Sequence, residues 1–206
     1  MKTNNHVSSK NNNNANVPQN TASAQINPTP VTHSGYNSQD VMKFADGSRG
    51  VVFYRDGEHG LVVSLDEASV QWQNNGKKNI RDIMGVPNGD FGLRVGQGMS
   101  NTQAIISEVG LYNAPATRWC VEHGDGWYLP SVGEMKCLIM AAKYGNDKVE
   151  PVNNLLIQAG GQPLLSKFYW TSSEDNGTSA YKVARSGASP SEYKYEEVHT
   201  RAIRQF

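Results

Sequence analysis

The feature that most constrains the fold is a pair of aromatic segments separated by a helical pattern. The first segment, Trp127 to Leu129, ends at Pro130, whose ring fixes φ near the helical value and removes the N–H that a continuing strand would donate. The second segment, Phe168 to Thr171, is aromatic and ends in a β-branched residue, which favours a buried strand. Two tryptophan-bearing strands around one helix predict the centre of a single α+β core.

The helix between these segments has a recognisable start and one apolar face. Ser131 occupies the N-cap position and Glu134 follows three residues later, which is the spacing of a capping box. Apolar residues then recur at spacings of three and four, at Met135, Leu138, Ile139 and Ala142. We expect this helix to extend from Ser131 to about Tyr144, where Gly145 ends it.

Three short motifs together resemble a known family. They are Trp127–Met135 (W-Y-L-P-S-x-x-E-M), Tyr169–Glu174 (Y-W-T-S-S-E) and Thr200–Phe206 (T-R-A-I-R-Q-F). In this combination they resemble the C-type-lectin-like domain that is named after the C-terminal domain of a bacterial collagen-like adhesin. That family is common in gut-bacterial surface proteins and in tailed-phage virion proteins, and the resemblance covers roughly residues 44–206.

The resemblance implies an α+β, C-type-lectin-like fold with antiparallel sheets and two to three helices. It also implies that the last strand, Val198 to Phe206, pairs with the first strand, so that both ends of the domain meet on one side. Such a fold hosts many functions and does not identify a ligand by itself.

Residues 1–40 differ in composition from the rest of the chain. Asn11 to Asn14 are consecutive, Pro18, Pro28 and Pro30 interrupt regular structure, and aliphatic side chains are sparse. Such a segment buries too little apolar surface to offset the entropy of ordering it. We therefore predict a disordered or extended anchoring arm at 1–40 and a lectin-like domain at 41–206. We prefer an arm that orders on docking into a larger assembly, and a flexible leader without a role is the alternative.

Charge and apolar content exclude two classes of partner. The 19 Lys and Arg residues balance the 19 Asp and Glu residues, so no overall field attracts nucleic acid or an anionic membrane. No apolar run approaches the ~20 residues that span a bilayer. Residues 1–6 lack the apolar region of a secretory signal, which leads us to expect synthesis and retention in the cytoplasm.

The remaining chain predicts a β-rich frame with further helices. Gly50–Tyr54 and Gly60–Leu65 flank Asp56 and Gly57, which predicts a hairpin covered on both faces, with His59 in the turn. Asp66–Gly98 is predicted as long loops with a helical turn at Ile80–Ile83. Three further strands are expected at Ala180–Ala184, Glu192–Glu196 and Val198–Phe206.

Two additional helices are expected in the middle of the chain. Asn101 or Thr102 is the predicted cap of a helix that Pro115 interrupts and that continues from Ala116 to His123. A short helix is predicted around Val152 to Ala159, ended by Gly160.

No catalytic residue, metal site or cofactor is expected. Cys120 and Cys137 lie in predicted helices and are interpreted as reduced thiols, with a Cys120–Cys137 bridge left open. The formylglycine-generating oxidases share the lectin-like fold and use a reactive cysteine pair, but neither thiol here has a cluster that would lower its pKa. An oxidase of that type is therefore a remote alternative. The carboxylates of Glu192, Glu196 and Glu197 are interpreted as a solvated strand face.

Ligand binding is predicted in the C-terminal part of the domain. Tyrosine side chains supply contact area at a low entropy cost, and lysine or arginine beside them adds charge. Glu174, Asp175 and Asn176 are expected in a loop just after the Trp170 strand, where they are placed to contact a sugar hydroxyl or to bind Ca²⁺ weakly. The Glu-Pro-Asn and Trp-Asn-Asp calcium motifs of animal C-type lectins are absent, so no obligatory Ca²⁺ is expected. The predicted residues are Glu174, Asp175, Asn176, Tyr181, Lys182, Arg185, Tyr193, Lys194 and Tyr195. An ordinary sheet surface, with aromatic residues covering the core, is the open alternative.

The preferred functional hypothesis is a non-enzymatic virion protein of a tailed phage, displayed on the head or tail. Its arm would contact capsid or tail proteins, and its lectin-like domain, as a homotrimer, would bind a host-surface glycan or protein. A bacterial surface or secreted lectin-like adhesin is the alternative. Neither nucleic acid nor a membrane is an expected partner.

Overall fold

The computed structural model describes residues 41–74, 94–143, 151–164 and 168–206. These residues form an α+β domain with two sheets and four α-helices. The strands are β1 Val41–Lys43, β2 Arg49–Asp56, β3 His59–Ser64, β4 Ala68–Gln71, β5 Trp127–Tyr128, β6 Phe168–Glu174, β7 Ser179–Ala184, β8 Ser191–Tyr193, β9 Glu197–Thr200 and β10 Ile203–Gln205. The helices are α1 Gln97–Val109, α2 Pro115–Val121, α3 Val132–Lys143 and α4 Val152–Gln158, and a 3-10 turn at Leu111–Asn113 precedes α2.

The first sheet has the strand order β1-β2-β3-β10-β5, with antiparallel pairing throughout. The β2–β3 hairpin predicted from the Asp-Gly pair is confirmed, and Gly57 supplies the positive φ of 62° that its turn requires. His59, predicted in that turn, is the exposed first residue of β3.

The closing strand does not pair as the family resemblance implied. β10 lies between β3 and β5, with Ile203 opposite Val63 on one side and Tyr128 on the other. It does not pair with the first or second strand of the domain. This arrangement buries the Ile203 side chain between two apolar neighbours, which a sheet-edge position beside β1 would not do.

The second sheet has the order β4-β9-β6-β7-β8, and its β6–β9 pair is parallel at Tyr169 and His199. The strand predicted over Val198–Phe206 is therefore wrong as a single element, because β9 belongs to this sheet and β10 to the other. The break falls at Arg201, a fully buried residue whose guanidinium donates to the carbonyl oxygens of Ser64 at 3.0 Å and Gln162 at 2.8 Å, and to Glu67 at 2.8 Å.

Alternate side chains of the β2–β3 hairpin enter two apolar clusters, so both faces are covered, as predicted. One cluster joins Val51 and Val63 to α3, α4 and the second sheet, with Tyr169 and Val183 contributed by β6 and β7. The other joins Val52 and Val62 to α1, α2 and three tryptophans. These tryptophans, Trp72, Trp127 and Trp170, are all buried.

Helix α3 confirms the predicted capping box and apolar face. The Ser131 N–H donates to a carboxylate oxygen of Glu134 at 2.8 Å, and the Glu134 N–H donates to the Ser131 hydroxyl at 3.3 Å. The predicted apolar positions Met135, Leu138, Ile139 and Ala142 are buried. The sequence pattern therefore defines both the start of this helix and its packing face.

Helix α1 begins earlier than predicted. Asn101 and Thr102 lie inside the helix rather than at its cap, and both are buried. The N-cap is Gly96, with φ 85°, and its N–H donates at 2.9 Å to the carboxylate of Glu134 from α3. A side chain distant in sequence replaces the local cap, so no local pattern marks this helix start.

Four α-helices among the described residues exceed the two to three that the family resemblance implied. Helix α2 starts at Pro115, as the interruption predicted, and α4 matches the predicted short helix. Cys120 and Cys137 lie in α2 and α3 as free thiols. The helical turn predicted at 80–83 and the arm at 1–40 lie outside the described residues.

Candidate functional site

Two tyrosines form an exposed stacked pair at the end of β8. The rings of Tyr193 and Tyr195 lie 5.3 Å apart between centroids with an interplanar angle of 7°, and about half of each residue is exposed, 51% and 52%. We name this pair the tyrosine platform. Parallel stacking orders both rings before a ligand arrives, so little side-chain entropy remains to be lost on binding.

The residue between the two tyrosines explains their common orientation. Lys194 points into the protein, where it is fully buried, forms an ion pair with Glu174 and lies 4.7 Å from the centroid of the Trp72 ring. Burial lowers the pKa of the Lys194 ammonium, whereas its hydrogen bond with Glu174 acts in the opposite direction. The inward lysine leaves the adjacent tyrosines on the outside.

This ion pair corrects two of the predicted ligand contacts. Glu174 and Lys194 were predicted to face a ligand, and Glu174 was placed in a loop. Glu174 is instead the last residue of β6, and both side chains are fully buried against each other. Two opposite charges removed from water stabilise each other by direct pairing, so neither offers a group to a surface ligand.

The turn between β6 and β7 contains the next two predicted residues, Asp175 and Asn176. The Asn176 side-chain oxygen accepts from the N–H groups of Thr178 and Ser179 at 2.9 and 3.1 Å, which fastens the turn. The Thr178 carbonyl oxygen accepts the Lys194 N–H at 2.9 Å. The turn therefore lies directly beside the tyrosine platform, and Asn176 has a structural task within it.

Tyr181 lies on the same sheet face as Tyr193 but is less available. Ser179 is opposite Tyr193 in the β7–β8 pair, and Tyr181 is opposite Ser191, so all four side chains share one face. Tyr181 packs against the apolar cluster beneath α3 and α4. Partial burial and a hydrogen bond with Asp175 raise the pKa of Tyr181. Tyr181 therefore lies on the buried side of the platform and not in its exposed part.

Lys182 and Arg185 do not join the platform. Lys182 is buried on the opposite face, paired with Glu192 at 2.7 Å and lying 4.1 Å from the Phe168 ring centroid. Arg185 is exposed beyond the far end of β7, six residues from Ser179, which corresponds to roughly 20 Å along the strand. The predicted set thus divides into an exposed pair, a supporting turn with Tyr181 beside it, the buried pair of Glu174 and Lys194, a buried Lys182 whose partner Glu192 is only half-buried, and one distant arginine.

Trp72 is a contributor to this region that the sequence interpretation missed. It lies in the stretch predicted as loop, yet it is fully buried, and its indole N–H donates to the Thr171 carbonyl oxygen at 2.7 Å. The alternating apolar residues Ala68, Val70 and Trp72 were the available indication of β4.

Neither cysteine is activated as a nucleophile. Burial raises the pKa of Cys120, and burial raises the pKa of Cys137 to about 12, so both thiols are held in the unreactive protonated form. Across the described ranges, no group of three or more His, Cys, Asp or Glu side chains is arranged to bind a metal. No helix in these ranges is long and apolar enough to cross a membrane.

No protein-family model matches this chain, and no curated protein matches it. Among solved structures, it is similar to a fimbrial protein from Bacteroides ovatus, with a TM-score of 0.57 and 21% sequence identity. The match covers 71% of this chain and 36% of the fimbrial protein, so this chain corresponds to only about a third of that protein's length. The likeness concerns the fold, and the two-sheet α+β architecture is thus shared with part of a fimbrial protein.

Proposed function

We propose that this chain is a non-enzymatic recognition domain of a surface-displayed adhesion protein and that it binds a glycan or a protein on a host surface. The observation that carries the proposal is the tyrosine platform, an exposed and pre-stacked aromatic pair. Tyrosine joins a broad apolar ring to a polar hydroxyl, and it is enriched in binding surfaces for that reason. The buried Lys194 and Glu174 pair supports the platform from below.

The state of the two thiols disfavours the oxidase alternative. The raised pKa values of Cys120 and Cys137 argue against the oxidase alternative, in which a thiolate must form near neutral pH. A reactive cysteine also needs access, and Cys120 is fully buried.

Two settings for this recognition domain are proposed, each with its own support. Likeness of fold to part of a fimbrial protein favours display on a bacterial cell surface. The second setting is a phage virion, because the C-type-lectin-like family that the three motifs resemble also occurs in tailed-phage virion proteins. In that setting residues 1–40 would anchor the domain on capsid or tail proteins, and a homotrimer would be the displayed unit. Neighbouring genes separate the two settings, since capsid, portal and tail genes accompany the second and outer-membrane genes the first.

The binding proposal is tested by removing the platform while keeping its support. The double variant Tyr193→Ala/Tyr195→Ala should lose most adsorption to whole cells and to an array of host-surface glycans, with a melting curve close to that of the parent. Lys194 stays in place to preserve the turn. Ile157→Ala, on the exposed side of α4, is the matched control because it removes a side chain of similar exposure, 58%, outside the platform. Undiminished adsorption by the double variant would place recognition elsewhere in the protein.

A further inference from the structure

A third tyrosine is exposed outside the tyrosine platform. Among the described residues, three aromatic side chains are at least half exposed: Tyr193, Tyr195 and Tyr112, the last at 78%. Tyr112 lies in the 3-10 turn between α1 and α2, more than eighty residues from the platform in sequence. Neither the sequence motifs nor the site described above includes it.

A short chain segment joins Tyr112 to the platform. The N–H groups of Trp72 and Gln73 both donate to the carbonyl oxygen of Lys194, at 2.9 and 3.2 Å. The next residue, Asn74, donates its backbone N–H to the Asn113 carbonyl oxygen at 2.9 Å and its side-chain amide to the Tyr112 carbonyl oxygen at 3.1 Å. Because consecutive Cα atoms are about 3.8 Å apart, the backbone at Lys194 lies within roughly 10 Å of the backbone at Asn113.

The charges around these tyrosines disfavour an anionic ligand. Beside the platform, Lys194 pairs with Glu174 and Lys182 pairs with Glu192 at 2.7 Å. The Arg118 guanidinium lies 5.9 Å from the Tyr112 ring centroid and 3.8 Å from Glu122. Glu196 and Glu197 follow the platform directly and are exposed. A negatively charged polymer would therefore meet exposed carboxylates beside the two platform rings.

The remaining chemistry of this surface suits hydroxyl groups. Asn74 is half-buried and Asn113 is exposed next to Tyr112; their amide groups donate to the Tyr112 and Val109 carbonyl oxygens, and amides and phenols both donate and accept hydrogen bonds. The exposed aliphatic side chains Val95, Met140 and Ile157 lie at the start of α1 and on α3 and α4. A protein partner would need an apolar interface centre, whereas a sugar ring needs an aromatic face beside hydrogen-bonding groups.

We propose that Tyr112, Asn74 and the tyrosine platform bind one elongated, uncharged oligosaccharide, whose successive units contact the platform and then Tyr112. This inference rests on the proposed recognition function and specifies its ligand class. A single sugar reaches only the platform, so affinity should increase with chain length until the ligand also reaches Tyr112. The contact with Tyr112 is then made by a ligand that is already bound at the platform, so it requires no second loss of translational and rotational freedom.

The test measures binding of length series of uncharged glucan and mannan oligosaccharides, with hyaluronan as an anionic comparison. The parent should bind longer members more tightly and ignore hyaluronan. Tyr112→Ala should lose the increase with length, about tenfold for the longest members, and keep the affinity for the shortest. Because Tyr112 is largely exposed, this variant should melt like the parent. Ile157→Ala should behave as the parent at every length.

Three outcomes overturn this assignment. They are an unchanged length dependence in Tyr112→Ala, preferential binding of hyaluronan, and no binding of either uncharged series by the parent. The platform variant Tyr193→Ala/Tyr195→Ala separates this failure from failure of the recognition function. If that variant loses adsorption to cells although the oligosaccharides do not bind, recognition through the platform stands and the ligand is not an uncharged glucan or mannan.

Discussion

Removal of the Glu134 carboxylate should destabilise two helix starts at once. One carboxylate oxygen accepts from the Gly96 N–H at 2.9 Å and the Tyr128 hydroxyl at 3.0 Å. The other accepts from the Gly98 N–H at 3.0 Å and the Ser131 N–H at 2.8 Å. A Cβ atom at Gly98 would lie 2.4 Å from this second oxygen, so only glycine allows the backbone of α1 to approach so closely.

The cost follows from the number of buried donors that lose their acceptor. In Glu134→Ala, three backbone N–H groups and one hydroxyl lose a fully buried partner, and each unsatisfied buried donor costs about 1–3 kcal/mol. Since the surroundings relax and the terms are not additive, we expect a loss of about 4 kcal/mol or more in the free energy of unfolding. In Glu134→Gln, the side-chain amide keeps the shape of the carboxylate. Only one backbone N–H loses its acceptor, because the Tyr128 hydroxyl can accept a hydrogen bond from the new amide group instead of donating one. About 1–3 kcal/mol of the free energy of unfolding should therefore be lost.

Chemical denaturation measures these differences, and Ser131→Ala is the matched control. That control removes the local cap bond to the Glu134 N–H, which is worth about 1 kcal/mol, and leaves α1 intact. The order of stability should be parent, Ser131→Ala, Glu134→Gln and then Glu134→Ala. Amide hydrogen exchange should accelerate at Gly96 in both Glu134 variants and at Gly98 in Glu134→Ala. A Glu134→Ala variant as stable as Ser131→Ala would refute the bridging role.

Two further predictions concern the core and its pH dependence. Trp170→Ala should lower the free energy of unfolding by about 3–5 kcal/mol, because the ring is fully buried and its N–H donates to the Val70 carbonyl oxygen at 2.9 Å. A loss below about 1 kcal/mol, measured by urea unfolding, would contradict this prediction. Burial lowers the pKa of His123, but hydrogen bonds to Asp66 at 2.9 Å and to the Trp119 carbonyl oxygen at 2.8 Å outweigh burial, so the pKa is raised. The resulting stability is fully present below the unfolded pKa of about 6.5 and is lost as the pH rises through the folded pKa. The melting temperature of the parent should therefore exceed that of His123→Gln by less at about pH 9 than at about pH 6. A difference that stays constant with pH would contradict this prediction.

Elements with local determinants could be predicted from the sequence. The Asp56-Gly57 turn, the start of α2 at Pro115 and the capping box at the start of α3 each depend on residues within one turn of each other. The burial of Trp127 and Trp170 followed in the same way, since each is surrounded by apolar residues in a short strand pattern. In these elements, local propensity and tertiary packing favour the same structure.

Elements whose determinants are distant in sequence were missed or misplaced. The start of α1 depends on Glu134, 38 residues beyond Gly96. The local sequence offers Asn101 and Thr102 as cap-type residues, and the predicted start was therefore too late. The break between β9 and β10 depends on Arg201, whose partners belong to the end of β3, the β3–β4 connection and the segment after α4. Sequence alternation continued through that break, because it reports burial and not the sheet to which a residue belongs.

The prediction of a charged ligand face failed at Glu174 and Lys194 for a related reason. A lysine between two tyrosines is usually solvated, and only the approach of β6 to the Tyr193–Tyr195 turn supplies the buried carboxylate that allows Lys194 to point inward. Burying both charges costs desolvation energy, and a well-packed apolar pair often stabilises a fold as well or better. The ion pair also fixes direction. Lys194 points inward to Glu174, so the adjacent Tyr193 and Tyr195 lie on the outside with their rings parallel. We therefore infer that the buried charges contribute to recognition indirectly, by fixing the geometry of the tyrosine rings above them. Their contribution does not depend on contact with the ligand.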